Sequence, residues 1–153
     1  MVTFELYADG ACQPNPGLGG WSFILRNIDN EEEIVKSGSL EGTTNNRMEL
    51  QATIEGLRCF RELDLVESKI ILVLDSKYVL CGTSEWSRNW IKQGWYKKNG
   101  DPVLNTDLWK EILAVTDGLD IEFKHVKGHA GESHNERCDK LATTAIKHLK
   151  EQL

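Results

Sequence analysis

The stretch KIILVLDS, residues 69–76, decides the fold class of this chain. Its central run IILVL lacks the polar alternation of a strand with one solvent-facing side. Such a run is typical of a strand covered on both faces, and strands of this kind occur in sheets with helices packed on either side. Asp75 ends the run and places a carboxylate where the strand leaves the sheet.

Three short strand-like segments precede this stretch, and turn residues separate them. The segments lie at 2–9, 20–27 and 31–40. Consecutive short strands joined by tight turns predict an antiparallel meander. A helix is then expected from TTNNR to about residue 62, with Thr43 or Thr44 as its N-cap.

Helical and strand patterns alternate after the buried strand. Short helices are predicted at 77–82 and 86–93, a longer helix at 106–116, a strand at 120–128 and a terminal helix from about residue 133. The order predicts an α/β fold with a five-stranded mixed sheet, whose first three strands are antiparallel, and helices on both faces. No linker or repeat interrupts the pattern, so residues 1–153 are interpreted as a single domain.

Composition and charge exclude several classes of function. The net charge of −6 argues against a protein that coats nucleic acid by bulk attraction. The segment 86–98, WSRNWIKQGWYKK, carries four positive charges and no acid, so the rest of the chain carries −10. A basic strip with interleaved tryptophans indicates a local nucleic-acid docking site. The four cysteines form no C-x-x-C pair and are expected to be reduced.

The opening segment reads as a first strand and not as a signal peptide, and no apolar run is long enough to span a membrane. We therefore expect a cytoplasmic protein without membrane contact.

Four acidic residues stand in unusual local settings: Asp9, Glu49, Asp75 and Asp139. Taken singly, each has an ordinary explanation as a turn residue, a helix cap or a solvated helix face. Taken together, they would form an all-oxygen site for two divalent cations, which predicts phosphodiester chemistry. Like charges at such a distance repel, so at least one carboxylate pKa is predicted to be raised in the metal-free protein.

Four separated motifs, together with NTDLW at 105–109, carry a resemblance to a known family. They are DGACQPNPG at 9–17, TTNNRMEL at 43–50, LDSKYV at 74–79 and VKGHAGESHNERCDKLA at 126–142. In this order, and over nearly the full length, the sequence resembles ribonuclease H of type 1. The resemblance implies a hydrolase: an endonuclease that cuts the RNA strand of RNA–DNA hybrids and leaves 5′-phosphate and 3′-hydroxyl ends.

The resemblance also implies roles for individual residues. The four carboxylates would hold two Mg²⁺ ions, with Mn²⁺ as a possible substitute and Asp9 as the bridging ligand. His129 would assist catalysis by moving protons or helping product leave, with a loop-anchoring role as the alternative. A zinc site built from His125, His129, His134 and Cys138 is the alternative for this region and is disfavoured, because Gly128 prevents a regular helical pair.

Substrate contacts follow from the same resemblance. Asn15, Asn45 and Asn46 would read the minor groove, Thr44 and Asn105 would hold a DNA phosphate, Trp86 and Trp90 would line a channel for the deoxyriboses, and Lys92, Lys97 and Lys98 would contact phosphates. Plain turn chemistry is the alternative for the asparagines, and core packing is the alternative for the tryptophans. The family often carries a basic residue where Gly42 stands, so a weaker phosphate pocket is expected here.

Two other functions compete with this one: a hybrid-binding module without catalysis, and a relative of the same fold that acts in DNA transposition or integration. Both are disfavoured, the first because all four carboxylates are present and the second because of the TTNNRME and VKGHAG stretches. Nothing in the sequence indicates an oligomer or an obligate protein partner, so we expect a monomer.

Overall fold

The computed structural model of the chain describes residues 1–127 and 133–153. Five strands and five α-helices have the following bounds: β1 Val2–Gln13, β2 Gly17–Asn27, β3 Glu33–Thr43, α1 Asn45–Glu62, β4 Ser68–Leu74, α2 Lys77–Cys81, α3 Ser87–Lys92, α4 Thr106–Thr116, β5 Ile121–His125 and α5 Ser133–Glu151. A π-helical turn at Gly82–Trp86 joins α2 to α3. Among these described residues, no helix combines the length and the apolar character needed to cross a bilayer.

The described strands form one mixed sheet in the order β3-β2-β1-β4-β5. β1 and β2 pair antiparallel, as do β2 and β3, whereas β1 pairs with β4 and β4 with β5 in parallel. The predicted five-stranded mixed sheet with an antiparallel first half is therefore confirmed. β4 is the second of the two central parallel strands, which explains the apolar run at 70–74.

Helices cover both faces of the sheet, as predicted. Leu6 and Tyr7 are neighbours in β1 and point to opposite faces. Leu6 lies so close to Gly56 of α1 that a Cβ there would crowd it. The Tyr7 ring lies 4.8 Å from the ring of His134 in α5. α1 and α5 therefore pack on opposite faces of β1.

Several predicted boundaries were wrong. β1 and β2 stay paired as far as Gln13 and Leu18, so the connection between the strands predicted at 2–9 and 20–27 shrinks to residues 14–16. The two short helices predicted at 77–82 and 86–93 form one continuous helical segment. Gly82 lets Trp109 pack directly against its backbone, where a Cβ would collide with the indole ring. The strand predicted to reach residue 128 ends at His125.

Candidate active site

Asp9 and Asp75 meet where the two central parallel strands separate. The parallel pairing of β1 and β4 ends at Tyr7 and Val73. Asp9 lies two residues after Tyr7, and Asp75 lies two residues after Val73. Asp75 directly follows the last residue of β4, as predicted. Asp9 does not end its strand, because β1 continues along β2 and Asp9 pairs there with Ser22.

Glu49 reaches Asp9 because β1 has a glycine at position 10. A Cβ on Gly10 would collide with the carbonyl carbon of Met48 and with the amide nitrogen of Glu49. The first turns of α1 therefore rest directly on the backbone of β1. Thr44 fixes the start of this helix, since its hydroxyl accepts a hydrogen bond of 3.2 Å from the backbone N–H of Arg47.

Three of the four predicted carboxylates converge. Oxygen atoms of Asp9, Glu49 and Asp75 all lie within 4.8 Å of one another. Asp9 is buried, with 5% of its surface exposed, whereas Glu49 and Asp75 are partly exposed. The arrangement places a cluster of hard oxygen donors at the edge of a cleft, which is the ligand set that Mg²⁺ or Mn²⁺ prefers.

The electrostatics of the cluster confirm the predicted crowding. Burial is the main cause that raises the pKa of Asp9 from 3.8 to about 7, and the charges of Asp75 and Asp139 add to it. A hydrogen bond with Glu49 acts in the opposite direction. The pKa of Glu49 is raised well above its ordinary value, first by burial and then by the charges of Asp9 and Asp75. Asp9 and Glu49 are therefore best described as a hydrogen-bonded pair that retains a proton near neutral pH.

Asp139 approaches the cluster from α5, on the other face of the sheet from α1. The Ser22 hydroxyl donates a hydrogen bond of 2.6 Å to the carbonyl oxygen of Cys138. Because Ser22 is the β2 partner of Asp9, this bond ties the residue before Asp139 to the strand beside Asp9. The charge of Asp139 acts on Asp9, although its carboxylate is not one of the three that share the 4.8 Å cluster. His129 lies outside the described residues.

A cleft of about 450 Å³ opens beside the carboxylates. Glu49 and Asp75 line it together with two predicted minor-groove contacts, Asn45 and Asn46. Asn15 lies nearby, where its side-chain oxygen accepts a hydrogen bond of 3.1 Å from the Asn45 backbone N–H. Two of the three predicted asparagines thus line the opening, and the third is hydrogen-bonded to one of them, a bond that also shows the local turn chemistry.

The aromatic and basic segment forms a second cleft, of about 280 Å³. Its lining contains four predicted substrate contacts and two residues that sequence reasoning did not single out: Trp86, Trp90, Lys97 and Lys98, with Asn89 and Gln93. Lys92 is exposed on α3 but does not line this cleft.

The tryptophans differ in burial. Trp86 remains 39% exposed, which favours a surface role. Trp90 packs 5.2 Å from the buried ring of Trp109, so the core-packing alternative also holds for it.

Arg47 and Asp107 were missed by sequence reasoning. Their side chains form a two-pronged ion pair with distances of 3.0 and 2.7 Å. Arg47 also donates a hydrogen bond of 3.2 Å to the side-chain oxygen of Asn105. Both residues lie inside motifs noted above, and their opposite charges are the signal that could have paired them.

The disfavoured zinc site gains no support from the described part of the chain. His125 Nε2 lies 3.1 Å from the backbone oxygen of Asp75. His134 packs on Tyr7, and Cys138 is buried in the small core cluster between α5 and the sheet. Within residues 1–127 and 133–153, the residues grouped closely enough to share an ion are Asp9, Glu49 and Asp75.

A five-stranded sheet of this order, flanked by helices and carrying acids where its central parallel strands part, defines a ribonuclease H-like fold. The chain belongs to the ribonuclease H family, whose family model matches residues 2–147. It is 49% identical over 147 residues to a ribonuclease H of Hahella chejuensis, covering 96% of this chain and 95% of that relative. It is 50% identical over 144 residues to a ribonuclease H of Zymomonas mobilis, covering 94% and 88%.

Solved structures agree with this assignment. LC9-RNase H1, described as a type 1 RNase H with the type 2 active-site motif, matches with a TM-score of 0.82 and 29% identity. The match covers 97% of this chain and 74% of that chain. LC11-RNase H1, solved in complex with an RNA/DNA hybrid, matches with a TM-score of 0.74 and 21% identity over 95% and 98% of the two chains. At that identity the second likeness concerns the fold.

Proposed function

We propose that this protein is an endonuclease that hydrolyses the RNA strand of RNA–DNA hybrids and leaves 5′-phosphate and 3′-hydroxyl ends. The observation that carries the proposal is the convergence of Asp9, Glu49 and Asp75, whose carboxylate oxygens lie within 4.8 Å of one another. Membership of the ribonuclease H family supports the same reaction.

The carboxylates fit a pair of Mg²⁺ ions, for which Mn²⁺ could substitute. All donors are hard oxygens. Burial, and after it the charges of neighbouring carboxylates, raises the pKa values of Asp9 and Glu49, so their ionised forms are destabilised without a counter-ion. Two such ions would supply an activated water for attack on the phosphorus and positive charge for the departing 3′-oxygen. Binding would release the proton that the Asp9–Glu49 pair retains.

The carboxylates would have different roles toward the proposed ions. Asp9 would be the ligand that both ions share, because oxygens of Glu49 and Asp75 lie within 4.8 Å of it and the charge of Asp139 acts on it. We assign to Asp139 the completion of the ligand set from α5. We further propose that His129 moves protons or assists product release.

The two strands of a hybrid would be read on different surfaces. Asn45 and Asn46 line the cleft beside the carboxylates, and Asn15 is hydrogen-bonded to Asn45. These three short polar side chains would contact ribose 2′-hydroxyls in the shallow minor groove of the hybrid. The DNA strand would lie over the second cleft, where Trp86 and Trp90 offer stacking surfaces and Lys97 and Lys98 offer positive charge. Thr44 and Asn105 would hold a DNA phosphate, while Lys92, which does not line the second cleft, would contact another phosphate.

A cleavage assay on labelled RNA tests the proposal. The wild-type protein should cut RNA in a hybrid with Mg²⁺ but not with EDTA, and should leave duplex RNA and duplex DNA intact. Asp9→Asn should abolish cutting. Asp120→Asn is the matched control, because Asp120 precedes β5 at the opposite end of the parallel strands and should leave cutting unchanged.

Each failure has a distinct meaning. Tight hybrid binding without cutting would refute catalysis and support a binding module. Cutting of duplex DNA would support the transposition or integration alternative. Cutting by Asp9→Asn at the wild-type rate would remove the carboxylate cluster from the mechanism. A product that a ligase cannot join without prior 5′-phosphorylation would refute the proposed 5′-phosphate end.

Four features of the protein stay predictions: a single domain, a monomeric state, the absence of an obligate protein partner and a cytoplasmic location.

A further inference from the structure

We infer that Arg47 and Asp107 are positioning residues that set the preference for a DNA strand, by holding Thr44 and Asn105 in one fixed arrangement. The inference rests on the proposed function, since it takes Thr44 and Asn105 as contacts of a DNA phosphate. It assigns a role to two residues that do not themselves need to touch the substrate. The inference is based on one observation: Thr44 and Asn105 are both hydrogen-bonded to Arg47.

Arg47 joins the two proposed phosphate contacts directly. Its backbone N–H donates to the Thr44 hydroxyl at 3.2 Å, and its guanidinium donates to the Asn105 side-chain oxygen at 3.2 Å. Thr44 begins α1 and Asn105 begins α4, so the N-termini of two helices are hydrogen-bonded to one residue, the first to its backbone and the second to its side chain. A phosphate held by both residues would therefore depend on the position of Arg47.

The oxygen and the nitrogen of the Asn105 side-chain amide each make one hydrogen bond. A guanidinium can only donate, so the amide oxygen must face Arg47 and the amide nitrogen must point away. That nitrogen donates to the Tyr78 hydroxyl at 3.0 Å. This bond uses one of its two N–H groups, and the other can donate to a phosphate oxygen. The backbone of Asn105 is left-handed, with φ 60° and ψ 31°, which asparagine tolerates better than most residues.

Asp107 fixes the guanidinium in turn. Two parallel hydrogen bonds of 3.0 and 2.7 Å hold Arg47, and Arg47 lowers the pKa of Asp107. A planar two-pronged pair restricts rotation of the guanidinium, which a single contact would not do. The pair is electrically neutral, so it contributes orientation and not attraction for phosphate. Orientation matters more here because Gly42 supplies no positive charge.

The same network reaches the aromatic surface. The Tyr78 hydroxyl also accepts a hydrogen bond of 3.2 Å from the Trp109 indole. The Tyr78 ring meets the Trp86 ring edge-on, with 6.4 Å between ring centres. A shift of Asn105 would therefore disturb both the proposed phosphate contact and the stacking surface beside it.

A matched pair of variants separates positioning from stability. Asp107→Asn removes one ion pair between α1 and α4, and Glu111→Gln removes another, between Arg58 and Glu111 at 3.5 Å. We expect Asp107→Asn to raise KM for a hybrid about tenfold and to leave kcat within about twofold of the wild-type value. The ratio of kcat/KM for a hybrid to kcat/KM for duplex RNA should become smaller. Glu111→Gln should change neither, although both variants lose a similar surface ion pair.

A double-mutant cycle tests whether the effect passes through Asn105. In an Asn105→Ala background, Asp107→Asn should have no further effect on KM. Arg47→Lys should also raise KM for a hybrid, because an ammonium group lacks the planar fork of the guanidinium. An Asp107→Asn protein that melts like the wild type and has an unchanged or lower KM would overturn the inference, as would additive effects of Asn105→Ala and Asp107→Asn. A wild-type protein that does not cut hybrids would instead refute the proposed function.

Discussion

Replacing Asp75 by asparagine should stabilise the metal-free protein, and the gain should grow with pH. The carboxylate oxygens of Asp9, Glu49 and Asp75 lie within 4.8 Å of one another. Two unit charges at that distance repel by about 3 kcal/mol at an effective dielectric constant near 20. Asparagine keeps the shape of the side chain and removes its charge. For a domain of this size, a gain of about 2–3 kcal/mol corresponds to a melting temperature roughly 5–10 °C higher.

The pH dependence follows from the raised pKa of Asp9, from 3.8 to about 7. Below about pH 4 this carboxyl is protonated in both the folded and the unfolded chain, so it costs nothing. As the pH rises towards about 7, the unfolded chain ionises freely while the folded chain retains the proton, and stability falls. A rise of this size corresponds to about 4 kcal/mol, lost between those two limits. Asp75→Asn removes one cause of the raised Asp9 pKa. The variant should therefore lose less stability than the wild type as the pH rises.

The measurement is a set of melts in EDTA from about pH 4 to about pH 8, with Asp120→Asn as the control for loss of one exposed carboxylate. The difference between Asp75→Asn and the wild type should be small at low pH and largest above neutrality. A difference that stays flat with pH, or a mutant that is less stable at about pH 8, would refute the crowded site. Mg²⁺ should reverse the order, since a ligand at about 100 times its Kd contributes roughly 2.7 kcal/mol to the wild type.

Two further predictions concern the backbone under the site and the basic cleft. Gly10→Ala should lower the free energy of unfolding by at least about 1–3 kcal/mol and reduce hybrid cleavage at least tenfold, because its Cβ would collide with Met48 and the Glu49 backbone. Melts and cleavage rates together check it, and a normal rate would show that α1 need not rest on β1. Lys97→Ala should reduce the slope of log Kd against log salt for a hybrid by about one, whereas Lys36→Ala on the exposed edge strand β3 should leave it unchanged. Equal slopes for both variants would remove Lys97 from the proposed interface.

The sequence was sufficient to predict the sheet and the meeting of Asp9 with Asp75. An apolar run such as residues 70–74 belongs in the middle of a sheet, and a carboxylate at its end must lie at the sheet's edge. The same pattern misled at Asp9. The apolar run of residues 6–8 is interrupted at Asp9, just after the pairing with β4 ends at Tyr7, while the β1 backbone remains paired with β2 as far as Gln13. Side-chain pattern reports burial, and it does not report where backbone pairing ends.

Contacts between distant side chains could not be predicted in this way. Arg47 and Asp107 are 60 positions apart, and their ion pair depends on how α1 and α4 are oriented. The continuous helical segment at 77–92 likewise depends on the fit of Trp109 against Gly82, which no local propensity encodes. Hydrophobic periodicity constrains the face that an element buries, but it leaves the axial position of one helix against another undetermined.

Two glycines explain how the fold keeps its carboxylates together despite their repulsion. Gly10 lets α1 rest on β1 beside Glu49, and Gly20 lets α5 rest on β2, where a Cβ would collide with the carbonyl oxygen of Ala142. Each contact is backed by a core cluster on its own face of the sheet. The backbone of either helix could move away from Asp9 only if the helix lifted off the sheet and exposed that core. Exposing this apolar surface would cost more free energy than keeping Asp9 and Glu49 together as a partly protonated pair. The packing of the helices therefore keeps the carboxylates close together before any ion binds.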